Sequence, residues 1–144
     1  AYGGGGMYKF YAMGTADYPR TPVGFVHEFG HSFAGLADEY FSSEVAYQDF
    51  YNLKYEPWEP NITTLVNFDA KWKDLLPTNT PIPTPLDDAH KDKAGVFEGG
   101  GYIAKGIYRP MDHCMMRDYA PFCPACSRAI LQMIDYFTDK PIKH

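Results

Sequence analysis

The sequence predicts an α+β fold, a twisted sheet carrying one helix with the chemistry and a second helix closing the chain. Three observations predict it. An aromatic, β-favouring run follows a glycine cluster near the start, a well-punctuated helix comes next, and the chain ends on an amphipathic helical stripe. At 144 residues with 45% hydrophobic and 22% charged residues, the chain has the composition of one folded domain rather than a disordered segment. We expect a single domain over residues 1–144.

Element by element, Gly3 to Gly6 precede Met7-Tyr8-Lys9-Phe10-Tyr11-Ala12-Met13, which reads as a strand entered through a flexible glycine turn. No Gly-Lys-Ser/Thr follows, so this is not a phosphate loop. Thr21-Pro22 opens a helix over 22–34, Thr21 as cap and Pro22 at the first turn; Gly35 stops it in the left-handed conformation. Residues 38–50 suggest a short helix. Asn61-Ile62-Thr63 matches a glycosylation sequon, a triplet common by chance. Phe68, Trp72, Leu75 and Leu76 have helical spacing. The four prolines of 77–85 predict a stiff extended segment. Residues 96–98 and 102–108 flank Gly99-Gly100-Gly101 as a hairpin or wide loop. A final helix over 124–138 carries Cys126, Ile130, Met133, Ile134 and Phe137 on one side.

Charge narrows the function. The net charge is −5 and no Lys/Arg-rich run exists, which disfavours nucleic acid and anionic membrane surfaces as partners. No apolar stretch approaches the roughly 20 residues that cross a bilayer. Aromatics reach 17%, enough for a packed core and a surface suited to peptide or sugar.

His27-Glu28-Phe29-Gly30-His31 is the segment that carries chemistry. Four helical residues advance about 400°, so His27 and His31 share a face and can aim a nitrogen each at one metal, for which zinc is the natural guest. Glu28 lies about 100° around the helix from His27, placed to reach a water as general base rather than the ion itself. A catalytic zinc needs a third protein ligand and an open position. Gly35 turns the chain back, and Asp38 follows three residues later as the expected third ligand. Glu39 is the neighbouring alternative, and Glu44, Glu56 or Glu59 would serve if a second helix supplied the acid. Asp38 could instead orient one of the histidines.

These residues resemble the metzincin zinc proteases, with the glycine and the acid each one position later than in the usual metzincin pattern. The run His27-Glu-Phe-Gly-His-Ser-Phe-Ala-Gly-Leu-Ala-Asp-Glu-Tyr40 more closely resembles the bacterial IgA-peptidase family of zinc endopeptidases. So do Ala1-Tyr-Gly-Gly-Gly-Gly6, Phe97-Glu-Gly-Gly-Gly-Tyr102, Tyr108-Arg-Pro110, Cys114-Met-Met-Arg117 and Phe122-Cys-Pro-Ala-Cys126. The resemblance implies a zinc-dependent endopeptidase acting on a protein substrate, such as the host glycoprotein immunoglobulin A. It also implies an exported or cell-surface location. It further implies a methionine beneath the metal, here Met116, and a tyrosine that stabilises the oxyanion, for which Tyr119 is the candidate. Residues 2–13 would be the last strands before the helix, including the edge on which an extended substrate pairs. The earlier strands would belong to an N-terminal portion missing from this chain, which opens on Ala1 and reads as a piece of something longer. The alternative is a non-catalytic module that binds a host glycoprotein or glycan and keeps zinc as scaffold. Cys114, Cys123 and Cys126 admit a disulfide from Cys114 to either of the others, a structural zinc with His113 or an acid, or free thiols. Arg109 would pair with a substrate carboxylate or, more simply, sit in an internal ion pair.

Overall fold

The computed structural model describes residues 3–41 and 50–139. The class is α+β: two small antiparallel sheets, β1–β2 and β3–β4, and three helices. Among the described residues the strands form two separate hairpins, not one continuous sheet.

Strands β1 (Gly4–Met7) and β2 (Tyr11–Gly14) pair with Gly4 opposite Gly14 and Met7 opposite Tyr11. The glycines expected to be a turn are therefore strand, and the turn falls on Tyr8, Lys9 and Phe10. Close approach explains this. A Cβ at Gly6 would sit 2.3 Å from the Glu28 carbonyl oxygen and 2.8 Å from His31 Cβ. Only glycine lets β1 cross helix α1 there.

Helix α1 (Thr21–Ala34) has Pro22 in its first turn. Thr21 is its first residue rather than its cap; the Thr21 hydroxyl donates to the Thr15 carbonyl at 2.5 Å, and Arg20 caps without a side-chain bond. Gly35 ends the helix at φ 63° as the sequence leads one to expect. The hairpin turn is tied to the end of α1 by Lys9 N–H donating to the Ser32 carbonyl at 2.7 Å.

The helical spacing at 68–76 yields two 3-10 turns instead, Phe68–Ala70 and Lys73–Leu75. Lys71 between them has φ −107° and ψ −132°, its ammonium donates to the Pro57 and Glu59 carbonyls, and its own carbonyl accepts from Arg128. Pro77 then holds Leu76 extended. Trp72, fully buried, donates its indole N–H to the Gly95 carbonyl at 2.8 Å. The expected helix over 38–50 falls largely on residues 42–49, outside the described ones; residues 36–41 carry no helix.

Strands β3 (Phe97–Gly100) and β4 (Ile103–Arg109) form the expected hairpin, with a bulge at Gly99, φ 99°. Arg109 is fully buried, donates to the Glu98 and Gly99 carbonyls at 2.9 and 2.8 Å and faces Asp112, so it is an internal brace and not a substrate contact. Helix α2 (Met115–Asp118) is a single turn, and α3 (Pro124–Phe137) closes the described chain. The main core lies between α1 and α3 and includes Trp72, Val96, Cys114, Met116 and Cys126. Among the described residues no helix is long and apolar enough to cross a membrane. The sequon asparagine is not available for modification in the fold: Asn61 is fully buried, with its amide bonded to both the N–H and the carbonyl of Ala37.

Candidate metal centre

Helix α1 presents His27 and His31 one turn apart, their ring centroids 4.8 Å from each other. Each ring is oriented by a main-chain carbonyl on its Nδ1: Met115 for His27 at 2.9 Å and Leu36 for His31 at 2.6 Å. A carbonyl only accepts, so each neutral ring carries its proton on Nδ1 and leaves Nε2 as a bare lone pair. The two Nε2 atoms face each other at 3.1 Å.

Gly35 reverses the chain and Leu36 returns its carbonyl to His31, which brings the following residues back over the helix. Asp38 arrives with Oδ1 2.9 Å from His27 Nε2 and 3.3 Å from His31 Nε2. Among the described candidates for a third acid, Asp38 is the one at the imidazoles. Glu39 turns the opposite way, into the cysteines. Glu56 accepts from Thr64 and from the Asn67 N–H, and Glu59 accepts from the Tyr51 hydroxyl. Glu44 lies outside the described residues.

Three acceptor atoms thus converge within 3.3 Å, and Asp38 Oδ1 is buried without a hydrogen-bond donor of its own. Such a cluster repels itself unless a cation or a proton sits within it. The titration behaviour has the same origin. Burial opposes charge on His31, but the hydrogen bond and charge of Asp38 win and raise its pKa above 6.5. Burial likewise opposes the Asp38 anion, yet His27 and His31, when the cluster's proton sits on an Nε2, and the Tyr102 hydroxyl on Oδ2 hold the carboxyl well below the usual carboxylate range. The donor set, two imidazoles and a carboxylate, fits zinc, and the bare lone pairs are those that a ligated ion needs.

Glu28 is buried, and one of its carboxylate oxygens lies within 4.8 Å of a ring nitrogen of each histidine. It shares a cavity of about 350 Å³ with Gly4, Gly5, Gly6, both histidines, Asp38, Tyr40, Tyr51, Glu59 and Tyr102. Met116 is fully buried beneath α1, where a Cβ at Gly30 would meet its sulfur at 2.8 Å. Tyr119, in the left-handed region at φ 64°, sets its ring edge-on to His27 with centroids 5.6 Å apart.

Tyr102 and Tyr40 are the site residues that sequence reasoning missed. Tyr102 donates its hydroxyl to Asp38 Oδ2 from the tip of the β3–β4 hairpin, at φ 65°. The tip is fastened to the Asp38 segment by Gly101 N–H to the Asp38 carbonyl at 2.8 Å and Tyr102 N–H to the Tyr40 carbonyl at 3.1 Å. Burial and the Asp38 charge raise the Tyr102 pKa far above its usual value and push Tyr40 up to about 12, so both phenols stay protonated and can donate. The one available signal was the Gly-Gly-Gly-Tyr102 run, since a triple glycine marks a loop shaped for close approach.

A search of curated proteins finds none that matches the chain. The family model described as IgA peptidase M64 matches residues 1–94 and 86–134. That span takes in the histidine helix, the returning Asp38, the Tyr102 tip and the methionine and cysteine segments together. The chain therefore belongs to the IgA peptidase M64 family, a family of peptidases whose substrates are proteins.

Proposed function

We propose that the protein is a zinc-dependent endopeptidase in which His27, His31 and Asp38 hold the metal and Glu28 is the general base. The observation that carries this reading is the convergence of three lone-pair donors whose other atoms are already committed: both Nδ1 atoms to carbonyls, and Asp38 Oδ2 to Tyr102. Zinc bound there supplies a Lewis acid and lowers the pKa of an attacking water toward about 7.

The chain's own residues do the rest. Glu28 takes the proton of the attacking water and delivers it to the leaving amine. Tyr102 fixes the Asp38 carboxylate, and the Met115 and Leu36 carbonyls fix the two imidazoles. Tyr119, beside His27, is the candidate to stabilise the developing oxyanion. Strand β1 lines the same cavity with Gly4, Gly5 and Gly6, and among the described residues β2 is its one partner in the sheet. Its second edge offers backbone groups to an extended substrate, and the glycines let that substrate lie close. Immunoglobulin A as substrate and an exported enzyme belong to the same reading; the family description supports the first. A binding module without catalysis has no use for Glu28 in the cavity wall.

Glu28→Gln is the test. The variant is expected to keep about one equivalent of zinc at the histidine site while kcat on a protein or peptide substrate falls about 10²–10⁴-fold. Cleavage at the unmodified rate with zinc still bound would remove Glu28 from the base role.

A further inference from the structure

A second cluster of metal-ligating side chains lies on the other side of the segment that delivers Asp38. Glu39, Cys114, Cys123 and Cys126 are all buried, and one ligand atom from each lies within 4.8 Å of the others. Glu39 Oε1 is 3.1 Å from Cys126 Sγ and 3.9 Å from Cys123 Sγ, and Cys114 Sγ is 3.7 Å from Cys126 Sγ. The three cysteines form no disulfide, and the acid among them is Glu39; His113 instead pairs with Asp118 on the surface.

We propose that these four side chains bind a second divalent cation, zinc by their donor chemistry, in a closed site that braces the first. Four features support it. Zinc–sulfur bonds of about 2.3 Å at tetrahedral angles place two sulfurs about 3.8 Å apart, which is the spacing seen between Cys114 and Cys126. Glu39 is fully buried, yet its Oε2 has no hydrogen-bond partner; such an atom is costly unless a cation faces it. Two of the sulfurs accept main-chain N–H groups at 3.4 Å, Cys114 from Cys123 and Cys123 from Cys126, and such donors favour a thiolate at each. The last two cysteines also occupy the N-terminus of α3, where the helix dipole favours negative sulfur.

The position gives the site a purpose. Glu39 follows Asp38 directly, and its N–H donates to the Met116 carbonyl at 2.8 Å. Cys114 stands next to Met115, whose carbonyl orients His27. A cation joining Glu39 to Cys114 and to α3 would therefore hold the third ligand, the His27 orienter and Met116 in one frame.

Cobalt(II) is the probe. Loaded into the unmodified chain, it is expected to give a thiolate-to-cobalt charge-transfer band in the near ultraviolet, which a site of two histidines and an aspartate cannot produce. Absence of the band would overturn the proposal. In a His27→Ala/His31→Ala variant, metal analysis is expected to find about one equivalent of zinc. That equivalent should be lost when Cys123→Ser and Cys126→Ser are added, and its persistence would overturn the proposal. Zinc-free protein with a single titratable thiol after denaturation would replace the metal with a disulfide and equally overturn it. Because the first site is removed in this background, the outcome is independent of the endopeptidase reading.

Discussion

Asp38 and Glu39 are neighbours in the segment that follows Gly35, yet their side chains end in unlike surroundings. Asp38 meets two imidazoles at the wall of an open cavity; Glu39 meets three sulfurs in the interior. The first cluster offers three donors with space beside them, and the second offers four with none. For zinc, three protein ligands and an open position describe a site that performs chemistry, whereas four and closure describe one that maintains a fold. The difference teaches that one short stretch after Gly35 can serve both, since its two adjacent acids reach two separate clusters.

The sharpest way to break this contrast is to strip each side separately. His27→Ala with His31→Ala is expected to abolish peptide cleavage entirely, because no imidazole remains to hold the metal, while the fold survives on its other contacts; circular dichroism and an activity assay read the two effects. Retained cleavage would sever the histidines from the chemistry. A smaller effect is expected of Tyr102→Phe. Losing the hydrogen bond to Asp38 should weaken metal affinity about 10–100-fold, read by chelator competition, with little change in melting temperature. Affinity equal to the unmodified chain would make Tyr102 a bystander.

Two substitutions probe the frame. Asn61→Ala removes the amide that bonds both main-chain groups of Ala37 and donates to Glu39 Oε1 at 2.9 Å. It should cost about 1–3 kcal/mol in a denaturant unfolding series, since buried partners are left unsatisfied. Gly6→Ala should cost about 1–3 kcal/mol as well, by forcing β1 off α1. It should also lower activity more than its stability loss explains, because β1 lines the cavity. At the lower end, Lys73→Ala breaks an exposed i,i+4 pair with Asp69 and is expected to shift stability by under about 0.5 kcal/mol. A large effect there would mean that surface charge, not the segment after Gly35, governs this part of the fold.

What could be read from the sequence follows from range. His27, Glu28 and His31 lie on adjacent positions of one helix, Gly35 ends the helix through its own conformational freedom, and Asp38 is three residues on; local geometry sufficed to bring these side chains together, whatever their roles. The β3–β4 hairpin and α3 were legible for the same reason. Tyr102 was not, because it meets Asp38 across 64 residues. Glu39 lies 84 and 87 residues from Cys123 and Cys126, so its place among the sulfurs rather than beside the imidazoles was out of reach of local spacing. The glycine cluster misled because flexibility and close approach call for the same residue, and here approach to α1 decides. At 68–76 the apolar spacing was helical, but tertiary bonds on Lys71 and Trp72 and the following Pro77 overrode it.

The most direct test of the central claim is anomalous X-ray scattering at the zinc edge from crystals of the zinc-loaded chain. The account predicts a strong peak bounded by His27 Nε2, His31 Nε2 and the Asp38 carboxylate, with Glu28 beside it and no fourth protein ligand. Crystals that took up zinc elsewhere, with no peak between those two rings, would contradict it.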